Sequence, residues 1–143
     1  MRVLVVEDDD ETRELIAMVL REINSVFRVE IESIKGAFEV DTAATNDDAL
    51  RLYRNSGPYG LVMTDIGHPG SECGDVLIDA IRKSDPMQPI IVETAQPPEV
   101  TDSIWRSYPD IPVVEKRCLG ELLKTVKALV SAASRKSHSS VTM

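Results

Sequence analysis

Five short strand-like segments, four of them apolar runs and each followed by a stretch of helical periodicity, constrain this chain more than any other feature. Residues 2–6 (Arg-Val-Leu-Val-Val) are β-branched and lack polar alternation, as in a strand buried on both faces. Asp9 or Asp10 can cap the helix that follows, whose Leu15, Ile16, Val19, Leu20 and Ile23 recur at three- and four-residue steps. Residues 38–43 read as a second strand, and Asn46 as the cap of a helix bearing Ala49, Leu50, Leu52 and Tyr53. The Gly-Pro-Tyr-Gly turn at 57–60 leads to a third strand, Leu61-Val62-Met63-Thr64, ending at Asp65. Val76, Leu77, Ile78 and Ile81 mark a third helix that Asp85-Pro86 stops. Pro89-Ile90-Ile91-Val92 forms the fourth strand, a short helix with Ile104 and Trp105 follows Pro97-Pro98, and residues 111–114 form the fifth strand. A last stripe joins Leu119, Leu122, Leu123, Val126, Leu129 and Val130, and the Ser-rich residues 131–143 read as a frayed tail.

Strands and helices alternating in this way predict an α/β fold, a doubly wound parallel sheet with helices on both faces. The 143 residues suit one domain, here 1–130. A net charge of −8 disfavours a nucleic-acid partner, whose phosphates want a basic face. No apolar stretch is long enough to span a membrane, and the opening run meets acid too soon for a secretory signal. Cys73 and Cys118 form neither a metal-ligand spacing nor a disulfide framework, so a reducing cytoplasm is the expected compartment.

A sheet of this kind places its chemistry at the carboxyl ends of its strands. The residues there are Glu7 and Asp8 after the first run, Asp65 after the third, Thr94 after the fourth and Lys116 after the fifth. Three converging carboxylates raise a pKa or recruit a cation. Oxygen-only ligands favour a hard ion such as Mg²⁺, and a hydroxyl and an ammonium beside it suit a phosphoryl group.

The stretches Val-Leu-Val-Val-Glu7-Asp8-Asp9, Val-Met-Thr-Asp65-Ile-Gly-His-Pro69-Gly, Ile-Ile-Val-Glu-Thr94-Ala95 and Val-Val-Glu-Lys116 run in order over nearly the whole chain. Together they resemble the receiver domain of two-component response regulators. The resemblance implies a flavodoxin-like sheet of order 2-1-3-4-5. It implies a stand-alone switch that accepts a phosphoryl group on Asp65 from a sensor histidine kinase or a histidine phosphotransfer protein. Glu7 and Asp8 match the acidic pair that holds Mg²⁺ with Asp65, and Gly67 matches the backbone carbonyl ligand. Lys116 matches the lysine that pairs with a phosphoryl oxygen, Thr94 the hydroxyl that swings toward it, and Ala95 the small residue that leaves room. Output would pass by protein–protein contact to a downstream target, and homodimerisation is left open. On this reading the chain is a signalling switch and not an enzyme in the usual sense.

Three departures from the family pattern stand out. Val113 lies three residues before Lys116, where many receivers carry Tyr or Phe as a rotating switch, and Arg117 replaces the usual proline. The stretch from Asp8 to Asp65 is also longer than usual. Its excess lies near 24–37, where Phe27, Val29 and Ile31 alternate with Arg28, Glu30 and Glu32, predicting an extra antiparallel edge strand over 27–33.

Several competing readings fit less well. Acids after the first strand can simply cap a helix, and Asp9 is expected to do so. His68 in a Gly-Pro loop reads as solvated, and Trp105 as helix packing. Halo-acid-type phosphatases and Toprim-type sites need a second acid two residues after the first, but Gly67 occupies that place. No P-loop or G-x-G-x-x-G follows any strand. A phosphorylation-independent binding module on the same fold is the alternative to the phospho-switch.

Overall fold

The computed structural model describes residues 2–26, 39–65, 74–94, 106–115, 124–126 and 128. Five strands, β1 (Arg2–Val6), β2 (Glu39–Ala43), β3 (Leu61–Asp65), β4 (Ile90–Thr94) and β5 (Val113–Glu115), form one sheet of order β2-β1-β3-β4-β5. Every pairing is parallel. Between the strands run α1 (Asp10–Val26), α2 (Asn46–Ser56) and α3 (Gly74–Ser84). This is the flavodoxin-like order expected from the sequence. The proposed strand at 27–33, the tail at 131–143, Trp105 and both cysteines lie outside the described residues.

The pleat divides the strand residues between two faces. Leu4, Val6, Val62, Ile90 and Val92 join Ala49 and Tyr53 of α2 and Leu77, Ile78 and Ile81 of α3 in one core cluster. Val3, Val5, Leu61, Met63 and Ile91, their alternates, are also buried, as are Ile16, Ala17 and Leu20 of α1, which contacts β1 and β2. Burial on both faces explains why residues 3–6 of β1 and 90–92 of β4 read as unbroken apolar runs.

Three local expectations change. Thr45, not Asn46, caps α2: its backbone is extended, its Oγ1 accepts the Asp48 N–H (3.1 Å), and its carbonyl accepts the Ala49 N–H (3.0 Å). Leu15 on α1 and Val76 on α3 are exposed, because each lies off the arc that meets the sheet. Ala17, left out of the predicted stripe, lies on that arc in α1.

The amino ends of β3 and β4 are tied by a buried side chain. The Gln88 amide donates to the carbonyls of Tyr59 (2.8 Å) and Pro89 (3.0 Å). Its Oε1 accepts from the Tyr59 N–H (3.0 Å) and the Tyr53 hydroxyl (3.1 Å). The single Tyr53 proton is shared between Gln88 and Asp85 (2.6 Å), and Tyr59 donates to Asp41 on β2 (2.7 Å). This network fixes the strand starts, so the carboxyl ends are held from below.

Candidate functional site

The turn from β1 into α1 is built by its own side chains. Asp9 caps the helix, accepting the Thr12 N–H (2.9 Å) and hydroxyl (2.6 Å) on Oδ2, while its carbonyl accepts the Arg13 N–H (2.9 Å). Arg13 reaches back to the Glu7 carbonyl (2.9 Å) and pairs with Asp10 (2.5 Å). Glu7 Oε1 accepts the Asp9 N–H at 3.2 Å. Glu7 is thereby buried at the end of β1, and Asp8, one residue on, is exposed.

Across the sheet, Val6 pairs with Thr64, so the next residue on β3, Asp65, lies beside the β1–α1 turn. One carboxylate oxygen from each of Glu7, Asp8 and Asp65 lies within 4.8 Å of the others. Oxygens bound opposite one another on an octahedral Mg²⁺ stand about 4.2 Å apart, since each bond is about 2.1 Å. Only one pair among three ligands can stand opposite, and neighbouring oxygens lie about 3.0 Å apart, so the three acids would draw together by up to about 2 Å to share such an ion. An all-oxygen donor set suits that hard cation and not a soft one.

Thr94 is buried at the end of β4, beside β3, where it pairs with Glu115 of β5. Gly67, Ala95, Lys116 and Arg117 lie outside the described residues, as does His68. Val113 is half-buried and packs against the core cluster on the α3 side. Sequence reading passed over two residues near the site. Arg13 holds the turn, and its signal was only a cation one helical turn past an acidic stretch. Glu93 is the register partner of Asp65 and is 2% exposed. Its signal was an acid inside an otherwise apolar strand.

No protein-family model matches the chain, and a search of curated proteins finds no match. Solved structures do match. The response regulator protein TrrA of Thermotoga maritima, in complex with Mg²⁺-BeF, is 32% identical with a TM-score of 0.60, covering 90% of this chain and 97% of TrrA. The chain belongs to the response regulator receiver domains. The HemR receiver domain of Leptospira biflexa is 25% identical to this receiver (TM-score 0.68, 91% of this chain and 94% of HemR). The chemotaxis regulator CheY4 of Vibrio cholerae, at 18% identity, TM-score 0.66, and coverage of 87% and 97%, shares the fold. Among the described residues no helix of the receiver is long and apolar enough to cross a membrane.

Proposed function

We propose that this receiver is a phosphorylation-dependent switch in which Asp65 accepts a phosphoryl group from a sensor histidine kinase or a histidine phosphotransfer protein. The observation that carries the reading is the gathering of Glu7, Asp8 and Asp65 at the carboxyl ends of β1 and β3 of a receiver fold. The Mg²⁺-BeF complex of TrrA supports the same donor chemistry. Glu7, Asp8, Asp65 and the Gly67 carbonyl would hold Mg²⁺, which when bound supplies charge neutralisation for the incoming phosphoryl oxygens.

An Asp65 carboxylate oxygen attacks phosphorus in line and forms the O–P bond of an acyl phosphate. The P–N bond of the donor phosphohistidine breaks, and its electron pair stays on the imidazole nitrogen. Lys116 pairs with a phosphoryl oxygen as a compact cation, and the Thr94 hydroxyl donates to another. Ala95 leaves the space this needs. The new charge draws the loops after β3 and β4 into a second arrangement, which a downstream protein reads. Val113 in place of an aromatic means that this arrangement does without a rotating ring at that position. The unit that switches is residues 1–130, with 131–143 as a tail, and its place is the cytoplasm, where histidine kinases present their phosphoryl groups.

Incubation with Mg²⁺ and acetyl phosphate, followed by intact-mass spectrometry, tests the reading. One phosphoryl adduct is expected, and none in Asp65→Asn or when EDTA replaces the metal. An undiminished adduct in Asp65→Asn, or no adduct in the wild type, sinks it.

A further inference from the structure

Glu93 has no part in that scheme, yet the fold places it beside the centre of it. It stands on β4 directly across from Asp65, and its other neighbour is Val114 of β5. Residues opposite one another in a parallel sheet project to the same face, so Glu93 and Asp65 share one. Its neighbours along β4 are apolar up to Val92, and it is 2% exposed. Asp8 is exposed and Asp65 half-buried, so the field between Glu93 and the three acids is partly screened by solvent and salt.

We propose that Glu93 is a positioning residue that sets the charge balance of the phosphorylation site, tightening the hold on Mg²⁺ and slowing phosphoryl transfer onto Asp65. The proposal rests on the reading of Asp65 as phosphoacceptor. Glu7, Asp8 and Asp65 carry three negative charges, which a divalent ion and the Lys116 ammonium together offset. Glu93, whatever it pairs with, adds a fourth carboxylate on the face of the sheet that carries Asp65. Its negative charge attracts the metal and opposes a phosphoryl donor, which is itself an anion.

One strand spacing plus side-chain reach puts the carboxylate about 8 Å from an ion among the three acids. At that distance, with an effective dielectric of about 60 at a half-solvated site, one charge changes the affinity of a divalent ion about tenfold. Glu93→Gln keeps the shape and removes the charge. By isothermal titration calorimetry at low salt it should bind Mg²⁺ about tenfold more weakly than wild type. At saturating Mg²⁺ it should take phosphate from acetyl phosphate about threefold to tenfold faster. Glu93→Asp, which keeps the charge, should stay within about threefold of wild type in both. The difference between wild type and Glu93→Gln should shrink as ionic strength rises, which a purely structural role would not produce.

Should Glu93→Gln fail to fold by circular dichroism, Glu93→Val carries the same predictions, since Val suits a row that already holds Val114. Equal Mg²⁺ affinity in wild type and the neutral variants overturns the proposal, as does slower phosphorylation of those variants. If the wild type forms no adduct, the phosphoacceptor reading fails, and the metal titration still decides whether Glu93 tightens the ion. If wild type forms an Asp65 adduct and the neutral variants match it in both measurements, only the role of Glu93 is lost.

Discussion

Gln88→Leu tests the claim that the amino ends of β3 and β4 are held by one buried amide. Leucine has nearly the same volume and none of the four hydrogen bonds. Two of the groups left behind keep other partners: the Tyr53 hydroxyl still donates to Asp85 at 2.6 Å, and the Pro89 carbonyl still accepts the Val62 N–H at 3.0 Å. The amide N–H and carbonyl of Tyr59 both lose the partner that Gln88 supplies. Tyr59 is 4% exposed, so water reaches these groups poorly. Each stranded backbone group costs about 1–3 kcal/mol, or about 4 kcal/mol for the pair. Added apolar burial by the leucine returns about 1 kcal/mol, leaving a net loss of about 3 kcal/mol. For a domain of this length, unfolding entropy near 0.3 kcal/mol/K converts that loss to a fall of about 10 °C in Tm. Urea denaturation followed by circular dichroism reads the free energy, with the m-value unchanged. Phosphorylation of the folded fraction should be untouched, because the amide sits at the opposite end of the sheet from Asp65. A loss below about 0.5 kcal/mol would refute the reasoning, since surface-like changes fall in that range.

Three further outcomes follow from the same structure. A methyl group on residue 57 would stand 2.5 Å from the Tyr53 carbonyl oxygen, which already accepts the Gly57 N–H, so Gly57→Ala should cost about 1–3 kcal/mol by urea denaturation. Burial and the hydrogen bond to Asp41 push the Tyr59 hydroxyl up to about 12 from 10.0, and burial with Asp85 raises Tyr53 further. The native state therefore keeps protons that the unfolded chain gives up, so these groups contribute full stability below pH 10 and lose it as pH rises toward 12. Ultraviolet phenolate titration should find both rings silent near pH 10 in the native protein but titrating there in urea. Arg82, bonded to Asp110 at 2.8 Å, holds that carboxyl below its usual range, so the pair stabilises above the unfolded pKa and fades as pH falls through the folded one. Because Asp110 is 63% exposed, Asp110→Asn should cost under about 1 kcal/mol at neutral pH, and less in high salt.

β1, β3 and β4 were legible because both their faces are covered, which gives each a continuous apolar run that ends abruptly in polar residues. Those ends are also where a parallel sheet concentrates its chemistry, so Glu7, Asp8 and Asp65 are readable as a group from the sequence alone. The cap at Thr45 was not, because Thr45 and Asn46 both have capping side chains and only the backbone angle of Thr45 separates them. Leu15 and Val76 misled because apolar spacing gives a helix its stripe but not the arc that docks. Gln88, Arg13 and Glu93 were invisible for another reason. Each takes its meaning from a partner in a different element, and pairing across elements leaves no periodic trace along the chain.

The two ends of the sheet divide the molecule's tasks. At the amino ends, Gln88, Tyr53, Tyr59, Asp85 and Asp41 meet one another's donors and acceptors, an arrangement that resists change because breaking the Gln88–Tyr59 links strands buried backbone groups. At the carboxyl ends, like charges crowd within 4.8 Å, an arrangement that gains from a cation. A signalling domain needs both. If the acids were as well matched internally as the amide network, binding a metal and a phosphoryl group would gain little free energy. If the network were as poorly matched as the acids, that free energy would be spent loosening the sheet and not moving the loops. Substitutions at Gln88 should therefore change stability without changing the response to Mg²⁺, and substitutions at Asp8 the reverse. A variant of either residue that moved both quantities together would show that the two ends are coupled through β3 and β4.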